Sequence, residues 1–328
     1  MSKRNSGNTK KQVTKTKAKA VEAEVAEVKP TLVGKNAIFH MEGGVGKHVA
    51  ASAVIASYKK AKPENNIIVV CAWPEVFLNN PHVDRVYRIG NTPHFYKDYI
   101  YKQDVEIHSQ EPYKTTAHIT KKKHLIDSWC DLINVPRADT TPELLLNFRE
   151  KEEAGRIIQN PANKPVLLIQ PFGGPGKEHQ ETPYSWTRDI HPTVAQNIVN
   201  ALHDRYHIVH VCYDLHPQLE NVQRVDAAMP KKVLFGLLLY STKRLLIDSS
   251  LQHAAAAMNL PSTVVWVATQ PETFGYDLHN NIKPSQEFLE GTVDSYLYDY
   301  SFTGALHECQ YENPSQIFDA NKIANSLV

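Results

Sequence analysis

Short apolar runs alternate along this chain with longer segments whose apolar residues recur at helical spacing. The runs Asn36-Ala-Ile-Phe-His-Met41, Asn66-Ile-Ile-Val-Val-Cys71, Val166-Leu-Leu-Ile-Gln170, His207-Ile-Val-His-Val-Cys212, Leu245-Leu-Ile-Asp248 and Thr263-Val-Val-Trp-Val267 are short and almost continuously apolar. They predict strands covered on both faces, as strands of a parallel sheet are. Between them the pattern predicts helices over His48–Lys60, Lys123–Leu132, Glu143–Asn160, Pro192–Asp204, Val233–Tyr240 and Gln252–Met258, with a further strand at Val83–Tyr87. Strand and helix in regular alternation, with short connections, make doubly wound parallel sheets. The series begins twice, so two α/β domains are expected, 34–160 and 161–295, with a cleft between them. Residues 91–122, dense in Tyr, His and Lys without periodicity, predict loops and short helices.

At 328 residues and 42% hydrophobic, the chain can bury two cores of ordinary size. No run approaches the roughly 20 apolar residues that span a bilayer, and the polar, Lys-rich N-terminus lacks the apolar centre of a signal peptide. A cytoplasmic protein is expected. Residues 1–30 hold eight Lys/Arg against three Glu, about +5, so with a total of +1 the remainder carries about −4. That balance argues against nucleic acid as a partner of the folded body, because such a face needs surplus cations. Residues 1–33 read as a disordered Lys-rich tail, with peripheral contact to an anionic surface as the functional alternative. Cys71, Cys130, Cys212 and Cys309 form no C-x-x-C pair, so reduced thiols are expected. His108, His118 and His124 lack metal-ligand spacing, and no metal site is predicted.

Ligands of doubly wound sheets sit beyond the carboxyl ends of the strands, which directs attention to the loops there. In the first, Gly43, Gly44 and Gly46 permit close backbone approach, and the following helix offers unpaired N–H groups to an anion or a hydroxyl. This loop is similar to the P-loop of partitioning-type ATPases, with departures. Met41 stands for the leading Gly, Glu42 for the signature Lys, and His48 for the hydroxyl residue that binds magnesium. A degenerate P-loop ATPase is therefore one alternative. In the segment Asp248-Ser-Ser-Leu-Gln-His253, a strand ends and a helix opens, so hydroxyls and N–H groups converge where a diphosphate joined to a sugar would fit. The plainer reading is a Ser helix cap with a surface His.

The segment Arg244 to Pro261 resembles the Asp-Ser-Gly-x-x-His-x-Ala-Ala-Ala-x-x-x-Pro signature of the ADP-heptose:lipopolysaccharide heptosyltransferase family. Thr269-Gln-Pro-Glu-Thr-Phe-Gly-Tyr276 resembles that family's Gly-Thr-x-Pro turn. Asn80-Pro-His-Val-Asp-Arg-Val-Tyr87 and the Gly-rich first loop follow its order of features. The resemblance covers about 240 residues, Asn36 to Tyr276. It implies a GT-B glycosyltransferase: two Rossmann-like domains, inverting and metal-independent, with no cofactor beyond the nucleotide-sugar substrate. The donor would lie on the C-terminal domain, and a glycan or lipopolysaccharide-type acceptor on the N-terminal one. Residues 296–328, with a helix-like stretch at Asn313–Leu327, would cross back onto the N-terminal domain.

By the same resemblance Asp248 would touch the donor sugar, and Ser249, Ser250, Gln252 and His253 would lie at the diphosphate. The family's first-loop Asp, taken as the catalytic base, is Lys47 here, and a lysine protonated near neutral pH is a poor base. Glu42 and His48 are the candidate replacements. The family's phosphate-binding Lys has two contenders, Lys177 beside Gly173 and Gly174, and Arg188 after Trp186. Asp214, after the strand ending at Cys212, could meet ribose hydroxyls. Loss of the base leaves a second alternative, a non-catalytic nucleotide- or glycan-binding protein of the same fold.

Overall fold

The computed structural model describes residues 34–138, 141–174, 185–285, 288 and 311–328. The Lys-rich tail, Lys177 and Cys309 lie outside them.

Two parallel sheets form the framework. The first holds β1 (Asn36–Met41), β2 (Asn66–Cys71), β3 (Arg85–Arg88) and β4 (Val105–His108) in the order β3-β2-β1-β4. The second holds β5 (Val166–Ile169), β6 (His207–Cys212), β7 (Gln223–Asp226), β8 (Lys243–Ile247), β9 (Thr263–Val265) and β10 (Asn280–Ile282), in the order β10-β9-β8-β5-β6-β7. Every pairing is parallel. The strand order therefore reverses once in each sheet, between β1 and β4 and between β5 and β8. Such switch points leave a crevice above the strand ends.

The helices follow as α1 (Val45–Ala61), α2 (Thr116–Ile119), α3 (Leu125–Leu132), α4 (Phe148–Ile157), α5 (Pro192–Leu202), α6 (Lys231–Gly236), α7 (Ser250–Ala257), α8 (Pro271–Phe274) and α9 (Ala320–Ser326). Helix α1 is buried on all sides from Lys47 to Tyr58, because it packs against its own sheet, α3 and α7. Its small residues, Ala50, Ala51, Ser52, Ala53, Ala56 and Ser57, allow that close approach. The buried hydroxyls are paired: Ser52 donates to the Val49 carbonyl and accepts from the Glu143 amide, and Ser57 donates to Ala53 and accepts from the Ala138 amide. Helix α4 connects the sheets and packs on α6 so closely that both contact positions are glycine or alanine, Gly236 against Ala154.

One apolar core runs unbroken from β1, β2 and α1 through α7 to Trp266, so the two sheets share an interior, and residues 33–328 cluster as one unit. A second core lies on the far face of the larger sheet, under α5 and residues 311–328. There the Tyr311 hydroxyl donates to the Val267 carbonyl, and the Tyr206 hydroxyl to that of Leu327. The end of the chain thus packs on the second sheet and not back across the first, because Ile317, Phe318, Ile323 and Leu327 face the apolar side of α5.

Three strands differ from the sequence expectation. β4, β7 and β10 sit in stretches without an apolar run, and β7 and β10 are edge strands that bury one side chain or none completely. β4 also closes an edge, with only His108 fully covered. Among the described residues no helix is long and apolar enough to cross a membrane.

Candidate functional site

Both switch points open into one cavity of about 630 Å³. From the first sheet it receives Gly44, Gly46 and Lys47 after β1, Trp73 after β2, and Glu111, Tyr113 and Lys114 after β4. From the second come Gln170, Gly173, Gly174 and Arg188 after β5, Tyr213 after β6, Lys231 at the start of α6, and Asp248, Ser249, Ser250 and His253 after β8.

The first loop turns at Gly43, whose φ of +94° belongs to the left-handed region that glycine occupies without strain. The Gly43 carbonyl accepts from the Trp73 indole at 3.0 Å. Gly44 caps α1 without a side-chain bond, and no acidic residue follows in the first turn. Gly46 lies in a tight place: a methyl there would lie 3.0 Å from the His253 ring and 3.3 Å from the Ser250 Cα, so those neighbours would have to give by a few tenths of an ångström. The first turns of α1 and α7 therefore touch, and two helix N-termini, each with unpaired N–H groups, meet at the cavity.

Lys47 does not point into open space. Its ammonium donates to Glu111 Oε2 at 2.6 Å and lies 5.5 Å from both the Tyr113 and Trp129 ring centroids. The Lys47 side chain is 5% exposed, whereas that of Glu111 is 34% exposed. Glu111 Oε1 also accepts from the Tyr113 amide at 3.3 Å. A P-loop lysine would have its ammonium free to reach phosphate, so this geometry does not serve the ATPase alternative.

The two replacements considered for the base lie elsewhere. Glu42 is exposed and does not line the cavity. His48 is fully buried, with Nδ1 2.9 Å from the Gly44 carbonyl and Nε2 3.3 Å from that of Met41, and burial lowers its pKa. Its ring closes the turn from beneath.

On the second side, Asp189 organises the loop after β5. Its carboxylate accepts from the Gly173 amide at 2.9 Å and the Ser185 amide at 2.8 Å, and burial pushes its pKa up to about 6. Gly174, at φ +72°, gives its carbonyl to His216 Nε2 at 2.6 Å. Arg188, next to Asp189, lines the cavity, its Nε buried and, among the described residues, without a hydrogen-bond partner. Lys231 donates to the Ala227 carbonyl at 2.7 Å and lies 6.0 Å from the Trp73 ring and 5.9 Å from that of Tyr213. Burial lowers its pKa.

At α7 the Ser249 hydroxyl is used twice: it donates to Gln170 Oε1 and accepts from the Leu251 amide at 3.3 Å. Ser250 lines the cavity, as does the buried Asp248. His253 bonds the Tyr276 hydroxyl at 2.8 Å, and burial drops its pKa to about 3, so its ring is neutral. Gln252 is fully buried and donates to the Phe274 carbonyl, tying α7 to α8 outside the cavity. Asp214 is exposed and paired with Arg224 at 3.3 Å, also outside it.

The sequence patterns do not single out Glu111, Lys231, Trp73, Tyr113, Gln170 or Asp189. Gln170 had a signal, the polar end of an apolar strand. Glu111 had none, because the strand before it carries no apolar run.

No protein-family model matches the chain, and no curated protein matches it either. Solved structures do. A glycosyl transferase family 9 structure from Veillonella parvula DSM 2008 superposes with a TM-score of 0.64 at 13% identity, over 90% of this chain and 98% of that one. The iron-containing dodecameric heptosyltransferase TibC, of enterotoxigenic E. coli H10407, in complex with ADP-D-beta-D-heptose, gives 0.61 at 10% identity, over 90% and 76%. The ADP-heptose lps heptosyltransferase II of E. coli gives 0.52 at 12% identity, over 76% and 90%. At such identities the likeness is one of fold. The chain has the GT-B architecture, two parallel α/β regions of four and six strands.

Proposed function

We propose that this chain, folded as GT-B glycosyltransferases are, moves a sugar from a nucleotide donor to a hydroxyl of a glycan. The observation that carries the reading is the shared cavity. Arg188, its buried Nε unpartnered among the described residues, Lys231 and the start of α7 line one side of it, and Glu111 lies on the other. The Arg188 Nε and Lys231 are partly withdrawn from water, and an anionic ligand in the cavity offsets that desolvation.

In this reading the donor diphosphate lies against the first turn of α7, the Gly173–Gly174 backbone, Arg188 and Lys231. Asp248 accepts from hydroxyls of the donor sugar. The acceptor hydroxyl approaches from the first-sheet side and displaces the diphosphate in one step, inverting the anomeric carbon. Negative charge that develops on the leaving diphosphate is met by two cationic side chains and the helix N-terminus, so the step is written without a metal ion. TibC binds an ADP-linked heptose, which makes that the first donor to test, with a lipopolysaccharide-type glycan as the first acceptor.

The test is calorimetric titration with ADP, UDP and GDP, followed by incubation with ADP-heptose, UDP-glucose and GDP-mannose and measurement of released nucleoside diphosphate. Binding of one nucleotide with release from its sugar conjugate is the expected result. Binding with no release from any donor supports the non-catalytic alternative, and no binding at all removes the nucleotide site.

A further inference from the structure

We propose that Glu111 is the base that takes the proton from the acceptor hydroxyl, and that Lys47 positions it. The inference rests on the transferase reading and adds to it the residue that the first loop does not supply.

Transfer to a hydroxyl needs an acceptor for its proton within hydrogen-bond reach as the new bond forms. Among the described residues that line the cavity, the carboxylates are Glu111 and Asp248, and the histidine is His253. His253 has its Nδ1 engaged with Tyr276 and presents its ring carbon to Gly46. Asp248 follows β8 and belongs to the side where the diphosphate binds. Glu111 stands across from it, after β4, the strand that flanks β1 at the first switch point.

The strand order brings Glu111 to this place. β4 lies beside β1, so the loop leaving β4 passes over the start of α1, and Lys47 in the first turn of α1 reaches it at 2.6 Å. Gly46 touches Ser250 and His253, so the chain of contacts from the α7 N-terminus through Gly46 and Lys47 to Glu111 is continuous. Two donors, the Lys47 ammonium on Oε2 and the Tyr113 amide on Oε1, fix the carboxylate orientation, and the side chain, 34% exposed, lines the cavity. Each oxygen keeps a second lone pair for an incoming hydroxyl.

The acceptor O–H proton passes to a Glu111 oxygen while the hydroxyl oxygen forms its bond to the anomeric carbon. The bond from that carbon to the phosphate oxygen breaks, and its electron pair leaves with the nucleoside diphosphate. Glu111, now a carboxylic acid, returns the proton to water.

The experiment compares Glu111→Gln, Glu111→Asp and Lys47→Met/Glu111→Gln with the unaltered protein. Two quantities are read: affinity for ADP, UDP and GDP by calorimetry, and release of nucleoside diphosphate from the nucleotide-sugar panel with water or glycan as acceptor. Glu111→Gln should keep nucleotide affinity within about twofold and lower kcat by about 10²- to 10⁴-fold, the usual contribution of a general base. Glu111→Asp should recover part of the loss. The double variant, which leaves no unpaired lysine, should fold, bind nucleotide and be as slow as Glu111→Gln. Turnover of Glu111→Gln within threefold of the unaltered protein overturns the assignment while the transferase reading stands. Absence of release by the unaltered protein from every donor overturns both.

Discussion

His210, His253 and His124 sit where an imidazolium has little to stabilise it. His210 is fully buried in β6 with its ring against Phe172, and neither ring nitrogen is hydrogen-bonded among the described residues. His253 and His124 lie against Tyr276 in the contact between the two sheet regions. Burial pushes His210 and His253 down to about 3 and His124 to about 4, against 6.5 for an open chain. Folded values below unfolded ones mean that the unfolded chain takes up these protons first. The stability they permit is whole above pH 6.5 and drains as pH falls toward the folded values. At pH 5.5 each of the three costs between about 1 and 2 kcal/mol, about 4 kcal/mol together. Asp189 has the opposite sign: its folded value of about 6 lies above its unfolded 3.8, so it gains as pH falls through 6 and returns about 1 kcal/mol. The expected net loss between pH 7.5 and 5.5 is about 3 kcal/mol. The lowered values of His48, His108, His216 and His279 act in the same direction. Urea unfolding at the two pH values measures it. His210→Leu removes one titrating ring and two buried nitrogens without partners. It should be no less stable than the unaltered protein at pH 7.5, and its acid loss should be smaller by roughly 1 kcal/mol. Equal stability of the unaltered protein at both pH values, or an unchanged acid loss in the variant, refutes the reasoning.

The other expectations concern the cavity and the close helix contacts. Arg188→Ala should weaken ADP binding at least tenfold by calorimetry, less so in high salt, whereas Asp214→Ala, outside the cavity, should leave it within twofold. Gly46→Ala places a methyl 3.0 Å from the His253 ring and 3.3 Å from a backbone carbon of α7; the separation of the two helix starts should lower ADP affinity by about tenfold, read in the same titration. Gly236→Ala puts a methyl 2.7 Å from the Ala154 Cβ and 3.3 Å from the Glu150 carbonyl oxygen. Both neighbours are held by helix backbone, so the cost should be about 1–3 kcal/mol in urea unfolding, with nucleotide affinity unchanged.

How much of the fold was visible in the sequence follows from what each strand buries. β1, β2, β5, β6 and β8 are interior strands with both faces covered, and their apolar runs announce them. β7, Gln223-Arg-Val-Asp226, buries Val225 alone, and β10, Asn280-Asn-Ile282, buries nothing fully. Periodicity needs at least two buried side chains to register, so such edges have no pattern to read. The C-terminal helix gives a different lesson. Its amphipathic pattern showed that it packs, but Ile323 and Leu327 do not encode which apolar face they cover, and the exposed side of the α5 core was the available one.

The site divides along the same line. That Asp248, Ser249, Ser250 and Gly46 stand at the cavity was legible because strand, turn and helix are local, and a local unit fixes where its own side chains go. Gln252 shows the limit even there: one residue before His253 on a short helix, it turns to the α8 carbonyl instead of the cavity. Position 47 could not be read alone. A lysine where a carboxylate is expected looks like a lost function as long as only neighbours in sequence are weighed. Its partner is 64 residues away, after a strand with no apolar signature, and only the order β3-β2-β1-β4 puts the two in contact. In this chain that order places a charge pair at the switch point, Lys47 from the first loop and Glu111 from the loop after β4. A carboxylate missing from one loop can thus enter the crevice from any other loop that the strand order delivers there.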